Sequence, residues 1–101
     1  MSRTRNRKPT HPGVVFRLDV LEPAGISVTK AAEVLDVSRK HLSEFVNQKK
    51  PCTRDLAIRI AIATNTSVAS WLNMQTSLDV WEAEHQSSDF YMAVGSLALK
   101  P

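Results

Sequence analysis

At 101 residues with 43% apolar side chains, the chain has the length of one domain with a single modest core, which excludes wholesale disorder. Its lone cysteine, Cys52, excludes an intramolecular disulfide and fits a reducing cytoplasm; no apolar run approaches the length of a membrane span. The net charge of +3 is split: residues 1–59 hold twelve Lys and Arg against six acids (+6), and residues 60–101 one Lys against four (−3). A basic half suits a polyanion.

Residues 1–10 are polar and basic (Arg3, Arg5, Arg7, Lys8), with no periodic apolar positions and no signal-peptide core behind them. They read as a flexible tail, of the kind that can also track phosphates. His11-Pro12-Gly13 punctuates the entry to a first helix over about 12–22. Proline suits the first helical position because the amide it lacks would be unpaired there. Val15, Leu18 and Leu21, with Val14, make the expected inward stripe, and His11 reads as part of the cap. Pro23 and Gly25 stop the helix.

Residues 27–50 carry two short helices joined by a tight turn. Within 31–35 and 42–46 the apolar residues fall at i, i+3 and i+4, the mark of one buried face. Asp36 and Val37 form the turn. Asp is one of the few residues that tolerate the left-handed conformation needed there, and Ser38 is placed to cap the second helix. With Leu42, Phe45 and Val46 inward, Arg39, Lys40, Ser43, Glu44 and Asn47 face out, with His41 at the margin. Such groups bond base edges and phosphates, and a helix-turn-helix offers them to the major groove. An amphipathic pair with a merely solvated face fits the same spacing.

Gln48-Lys49-Lys50-Pro51-Cys52 is a polar connection, and Thr53 caps a fourth helix over about 54–64. Its run Leu56–Ala63 is apolar except for Arg59, which predicts that this helix is largely buried. Lys49, Lys50 and Arg54 sit where backbone phosphates would run. Ser67 caps a fifth helix to about residue 85. There Trp71, Met74, Leu78 and Trp81 are spaced 3, 4 and 3 apart in a heptad-like seam. So small a core cannot cover all of them: Leu72 and Trp71 read as completing it, and the surplus predicts a subunit interface, Trp81 being its strongest candidate. Beyond it, Phe90, Met92 and Val94 alternate like a strand that pairs with a partner chain; a loosely packed tail fits as well.

The order of these segments resembles the HigA antitoxins, within the phage-repressor-like group. The resemblance rests on His11-Pro12-Gly13, on Leu21-Glu22-Pro23, on the pair around residues 31–47 and on Trp71-Leu72-Asn73-Met74-Gln75. It covers about residues 11–86, leaving 1–10 as a tail and 87–101 as an extension without a counterpart. It implies an all-α, five-helix lambda-repressor-like domain with a helix-turn-helix and a long C-terminal helix. It further implies a homodimer that represses its operon on palindromic double-stranded DNA and blocks a small ribonuclease toxin. The implied DNA-reading positions are Ser38, Arg39, Lys40, Ser43 and Asn47, with Thr29 near the backbone; Asp36 stands where the family's turn usually has Gly. A stand-alone repressor on the same fold remains open. No catalytic, cofactor or metal motif is present: His11, His41 and His85 lie far apart in sequence and no Gly-rich phosphate loop exists.

Overall fold

A computed structural model describes residues 7–99, so most of the basic tail lies outside the described residues. The expected all-α architecture is found. Helix α1 runs over residues 12–24, α2 over Val28–Leu35, α3 over Arg39–Val46, α4 over Arg54–Thr64 and α5 over Val68–Glu84. A short 3₁₀ turn follows at Ser88–Tyr91. The described residues contain no strand, so the alternation of Phe90, Met92 and Val94 does not become one.

Local signals set the boundaries. Each helix opens on a side chain that accepts a first-turn amide: His11, Ser27, Ser38, Thr53 and Ser67. Three helices close on a left-handed residue, Gly25, Asp36 and Asn65, with φ of 65°, 56° and 55°. In each case the next amide reaches back to the carbonyl five residues earlier, at 2.9 to 3.1 Å.

Helix α1 departs from the expected stripe. It continues to Ala24 and widens to a π-helix over Phe16–Leu21, where the Glu22 amide reaches Arg17. Pro23 has no amide to give, and its ring would press on the Asp19 carbonyl of a regular helix. The wide turn brings positions five apart to one side, so Phe16 and Leu21 are buried together and Leu18 faces out.

The core lies between α1, α3 and α5, floored by α4. Phe45, Leu42, Leu56 and Ile60 are among the most deeply buried side chains. Phe45 meets His11 at 5.8 Å and Phe16 at 6.2 Å between ring centroids, and Phe16 meets Trp71 at 6.0 Å. Helix α4 is buried on one face only. Ile58 and Ile62 are exposed, which corrects the expectation of a largely buried helix.

The seam on α5 is largely consumed within the protomer. Trp71 and Leu78 are buried and Met74 packs against the core. Trp71 Nε1 donates to Thr66 Oγ1 at 2.8 Å. Trp81 is partly covered, stacked on His85 at 3.9 Å with Lys8 Nζ 5.8 Å from its ring; its indole N–H has no partner among the described residues. Trp71 and Leu78 thus have little surface left for a second chain.

Gly13 packs α1 directly on the end of α3. A Cβ at this position would collide with the Phe45 carbonyl. The Gly13→Ala chain should lose about 1–3 kcal/mol, the range for overpacking, read as a lower denaturant midpoint with an unchanged slope. Burial pushes the Cys52 thiol up from 9.0 to about 11. Its folded-state pKa is raised, so the stability it contributes is complete below pH 9 and disappears between pH 9 and 11. Unfolding at pH 8 and 11 should show a loss of about 2 kcal/mol at the higher pH that a Cys52→Ala chain does not share.

Candidate nucleic-acid interface

The face of α3 away from the core is set by Leu42, Phe45 and Val46, which point in. Ser38 Oγ accepts the His41 amide at 3.0 Å and fixes where the helix starts. Thr29, Ser38, Arg39, Lys40 and Asn47 are exposed, while His41, Ser43 and Glu44 are half-buried on the flanks. Lys49, Lys50 and Arg54 are exposed beyond the helix. Among the described residues, none of Arg39, Lys40, Lys49, Lys50 and Arg54 is in a salt bridge. Five cations without counter-charges therefore lie along one short stretch of chain, a strong local attraction for a polyanion.

Two of the expected readers are held by neighbours. Arg39 Nε donates to Thr29 Oγ1 at 2.9 Å, which anchors the inner edge of the guanidinium. Its two terminal nitrogens make no other bond among the described residues and keep the fork that pairs with the guanine edge or a phosphate. Asn47 instead turns back: Nδ2 donates to the Ser43 carbonyl at 2.8 Å and lies 3.4 Å from Ser43 Oγ. A bidentate adenine contact needs that amide, so Asn47 must first leave its own helix.

Two residues that the spacing did not single out as functional hold the interface in place. Arg59 reaches from α4 to the turn, where Nη1 donates to the carbonyls of Leu35 and Asp36, each at 3.0 Å. Its Nε donates to Asp55 at 2.9 Å. The guanidinium thus satisfies carbonyls that the end of α2 leaves free and sits at the negative end of that helix. The available signal was a single Arg inside an apolar run with Asp four residues before it. Gln75, buried on α5, accepts the Cys52 amide at 2.7 Å through Oε1 and donates to Asp79 at 2.8 Å through Nε2. It ties the connection carrying Lys49 and Lys50 to the body. Gln75 stood as the polar member beside an apolar seam.

His11 closes the same connection from the other side. Its Nδ1 accepts the Gly13 amide at 2.9 Å, which requires that nitrogen to be unprotonated. Burial holds the His11 pKa below its ordinary 6.5, against a hydrogen bond to the Lys50 backbone. With this pKa depressed, the contribution is complete above pH 6.5 and lost as acid protonates the ring.

No protein-family model matches the chain. It is 38% identical over 79 residues to the uncharacterized helix-turn-helix transcriptional regulator YbaQ of Escherichia coli K12, covering 78% of this chain and 70% of that protein. It is 31% identical over 84 residues to antitoxin HigA-1 of Vibrio cholerae, covering 83% and 79%. The chain belongs to the HigA family of helix-turn-helix antitoxins. Among solved structures, Pseudomonas aeruginosa HigA, determined with the higBA promoter, superposes with a TM-score of 0.78 at 26% identity, covering 91% of this chain and all of that one. Antitoxin GraA in complex with its operator gives 0.80 at 25% identity, over 98% and 100%.

The clamp on the turn gives a direct test. Arg59→Met keeps the apolar stem and removes the donors. It should cost about 1–2 kcal/mol of stability through the two unsatisfied carbonyls and weaken DNA binding, although Arg59 itself faces the turn. Unchanged thermal stability in this variant would remove Arg59 from its role.

Proposed function

We propose that this HigA-family chain is the antitoxin of a HigBA-type module, acting in the cytoplasm. It would neutralise a small ribonuclease toxin by direct binding and repress its operon as a homodimer on palindromic DNA. The observation that carries the DNA half is the α3 surface: an anchored Arg39 whose fork is free among the described residues, flanked by four further cations in no salt bridge among them. In support, relatives of this fold are solved on a promoter and on an operator. The dimer would set two recognition helices roughly 34 Å apart, matching half-sites one turn of DNA apart. Thr29 and Ser38 would steady the helix. Arg39 and Lys40 would reach bases, with His41, Ser43, Glu44 and Asn47 completing the reading surface, and Lys49, Lys50 and Arg54 would hold phosphates. The dimer seam would draw on what the protomer leaves uncovered of Met74 and Trp81, beside the buried Trp71 and Leu78. The reading assigns no catalytic step and no cofactor.

A stand-alone repressor is the second reading, favoured by the 38% identity to a protein named only as a transcriptional regulator. Coexpression with the basic reading frame of roughly 90 residues expected just upstream separates the two, that size being one small domain. The antitoxin copurifies with its neighbour and suppresses its ribonuclease activity; the lone regulator does neither. On the DNA side, Arg39→Ala should lower operator affinity about 5- to 150-fold, equivalent to about 1–3 kcal/mol, and relax the preference at one base pair. Lys49→Ala should weaken all sequences alike and reduce the slope of log affinity against log salt by about one. An Arg39→Ala chain that binds its operator as tightly as before would remove α3 from the reading role.

A further inference from the structure

Two apolar surfaces have no partner among the described residues. The first is a groove of about 80 Å³ between the end of α1, α2 and the end of α4, lined by Phe16, Val20, Ile26, Val34 and Ala63 among others, with Thr64 as its one polar residue. Val34 on its wall is 60% exposed. The groove has about half the volume of an apolar cavity of roughly 150 Å³ that takes up benzene, so it fits one aliphatic side chain. The second is the segment after α5. Residues 90–99 contain no charged residue in a chain that is 23% charged. Phe90, Met92, Val94, Leu97 and Leu99 are all exposed, Leu97 by 84%. Among the described residues, the segment beyond the 3₁₀ turn makes only local bonds, Val94 to Tyr91 and Ala98 to Ser96. The molecule is accordingly long, 53 × 31 × 23 Å, with a radius of gyration of 17.1 Å, against about 13 Å for a compact domain of this length.

The topology says which copy of the segment can fill which groove. The groove abuts Ala63 and Thr64, just before α5 begins at Val68. The apolar segment leaves from the other end of α5, 17 residues away, or about 25 Å along the axis. Within one chain it would have to double back along the whole helix. In a two-fold pair whose axis crosses α5 at right angles, the helices run antiparallel, so each far end arrives beside the partner's near end. Helix α5 has surface left for such pairing, since Val80 is exposed and Leu72, Met74 and Trp81 are only partly covered.

We propose that residues 88–99 of one protomer cross the two-fold axis and seat an apolar side chain in the α1–α2–α4 groove of a second copy. The exchange is reciprocal, so both grooves and both segments are covered in one closed pair. It rests on the homodimer of the proposed function and adds to it the element that locks the dimer. Neutral apolar surfaces meet, so this contact is insensitive to salt, unlike the DNA face.

The test compares dimer dissociation by sedimentation equilibrium for four chains: the full chain, a chain ending at Gln86, Val34→Asp in the groove, and both changes together. Circular dichroism checks that each folds, which the exposure of both sites permits. The expected result is at least a tenfold weakening for each single change, with the combination no worse than either alone. In a Cys52→Ser background, a Val34→Cys chain mixed with a Leu97→Cys chain should form a disulfide between the two differently tagged chains. If the shortened and the Val34→Asp chains dimerise as tightly as the full one, the segment exchange is wrong and the homodimer stands. If the full chain is a monomer throughout, both fall. If shortening spares the dimer and abolishes copurification with the upstream protein, the segment serves the toxin and the exchange is overturned.

Discussion

The fold depends on the seating of α1 on the last turn of α3. It exists because residue 13 has no side chain: any Cβ there would occupy the place of the Phe45 carbonyl. Around that contact the His11, Phe45, Phe16 and Trp71 rings form a continuous chain from the start of α1 through α3 to α5. The H-P-G sequence is thereby accounted for residue by residue. His11 caps and packs, Pro12 starts the helix without an amide to satisfy, and Gly13 permits the approach. A close-packed interior transmits such positions rigidly, so the angle at which α3 leaves the body is fixed from inside.

The outer face depends on that rigidity, because its own side chains contribute little to order. Ser38 sets the first residue of α3, Arg59 fixes the turn before it, Gln75 fixes the connection after it, and His11 caps α1 against α3. Each of these groups bonds backbone atoms, which leaves Arg39, Lys40, Lys49, Lys50 and Arg54 to carry charge outward. Base recognition rewards this separation, since a bidentate contact needs its fork placed to within a fraction of an ångström while phosphate contacts tolerate mobile lysines. The Arg39–Thr29 bond extends the same logic to one side chain of the proposed reading surface.

Much of this was legible in the residues alone. Caps and periodicity located five helices, because His11, Ser38, Thr53 and Ser67 act through short-range bonds that the local sequence specifies. Asp36 was recognisable as a left-handed turn residue for the same reason. What escaped depended on contacts distant in sequence. Arg59 looks like an interruption of an apolar run until α4 is laid beside the turn 23 residues earlier. Gln75 looks like a bystander until the Cys52 amide, 23 residues away, is found pointing at it. The stripe of α1 was misjudged because Pro23 widens the helix, and a period of 3.6 does not apply to a π turn. The seam on α5 was misjudged at Leu78: Trp71 completes the core as its position suggested, but Leu78 faces the protomer's own core as well.

The uneven charge of the chain follows from the same layout. The cations gather on the side of α3, where affinity for a polyanion rises with each counterion released. The groove and residues 90–99 carry no charge at all, so their burial against each other would have no electrostatic component to be screened. In the proposed dimer the two tasks would be separate. Salt would weaken the hold on DNA without screening the uncharged contact that positions two recognition helices. Because a dimer's contacts add across both half-sites, whatever holds the two protomers together governs operator occupancy as strongly as any base contact does.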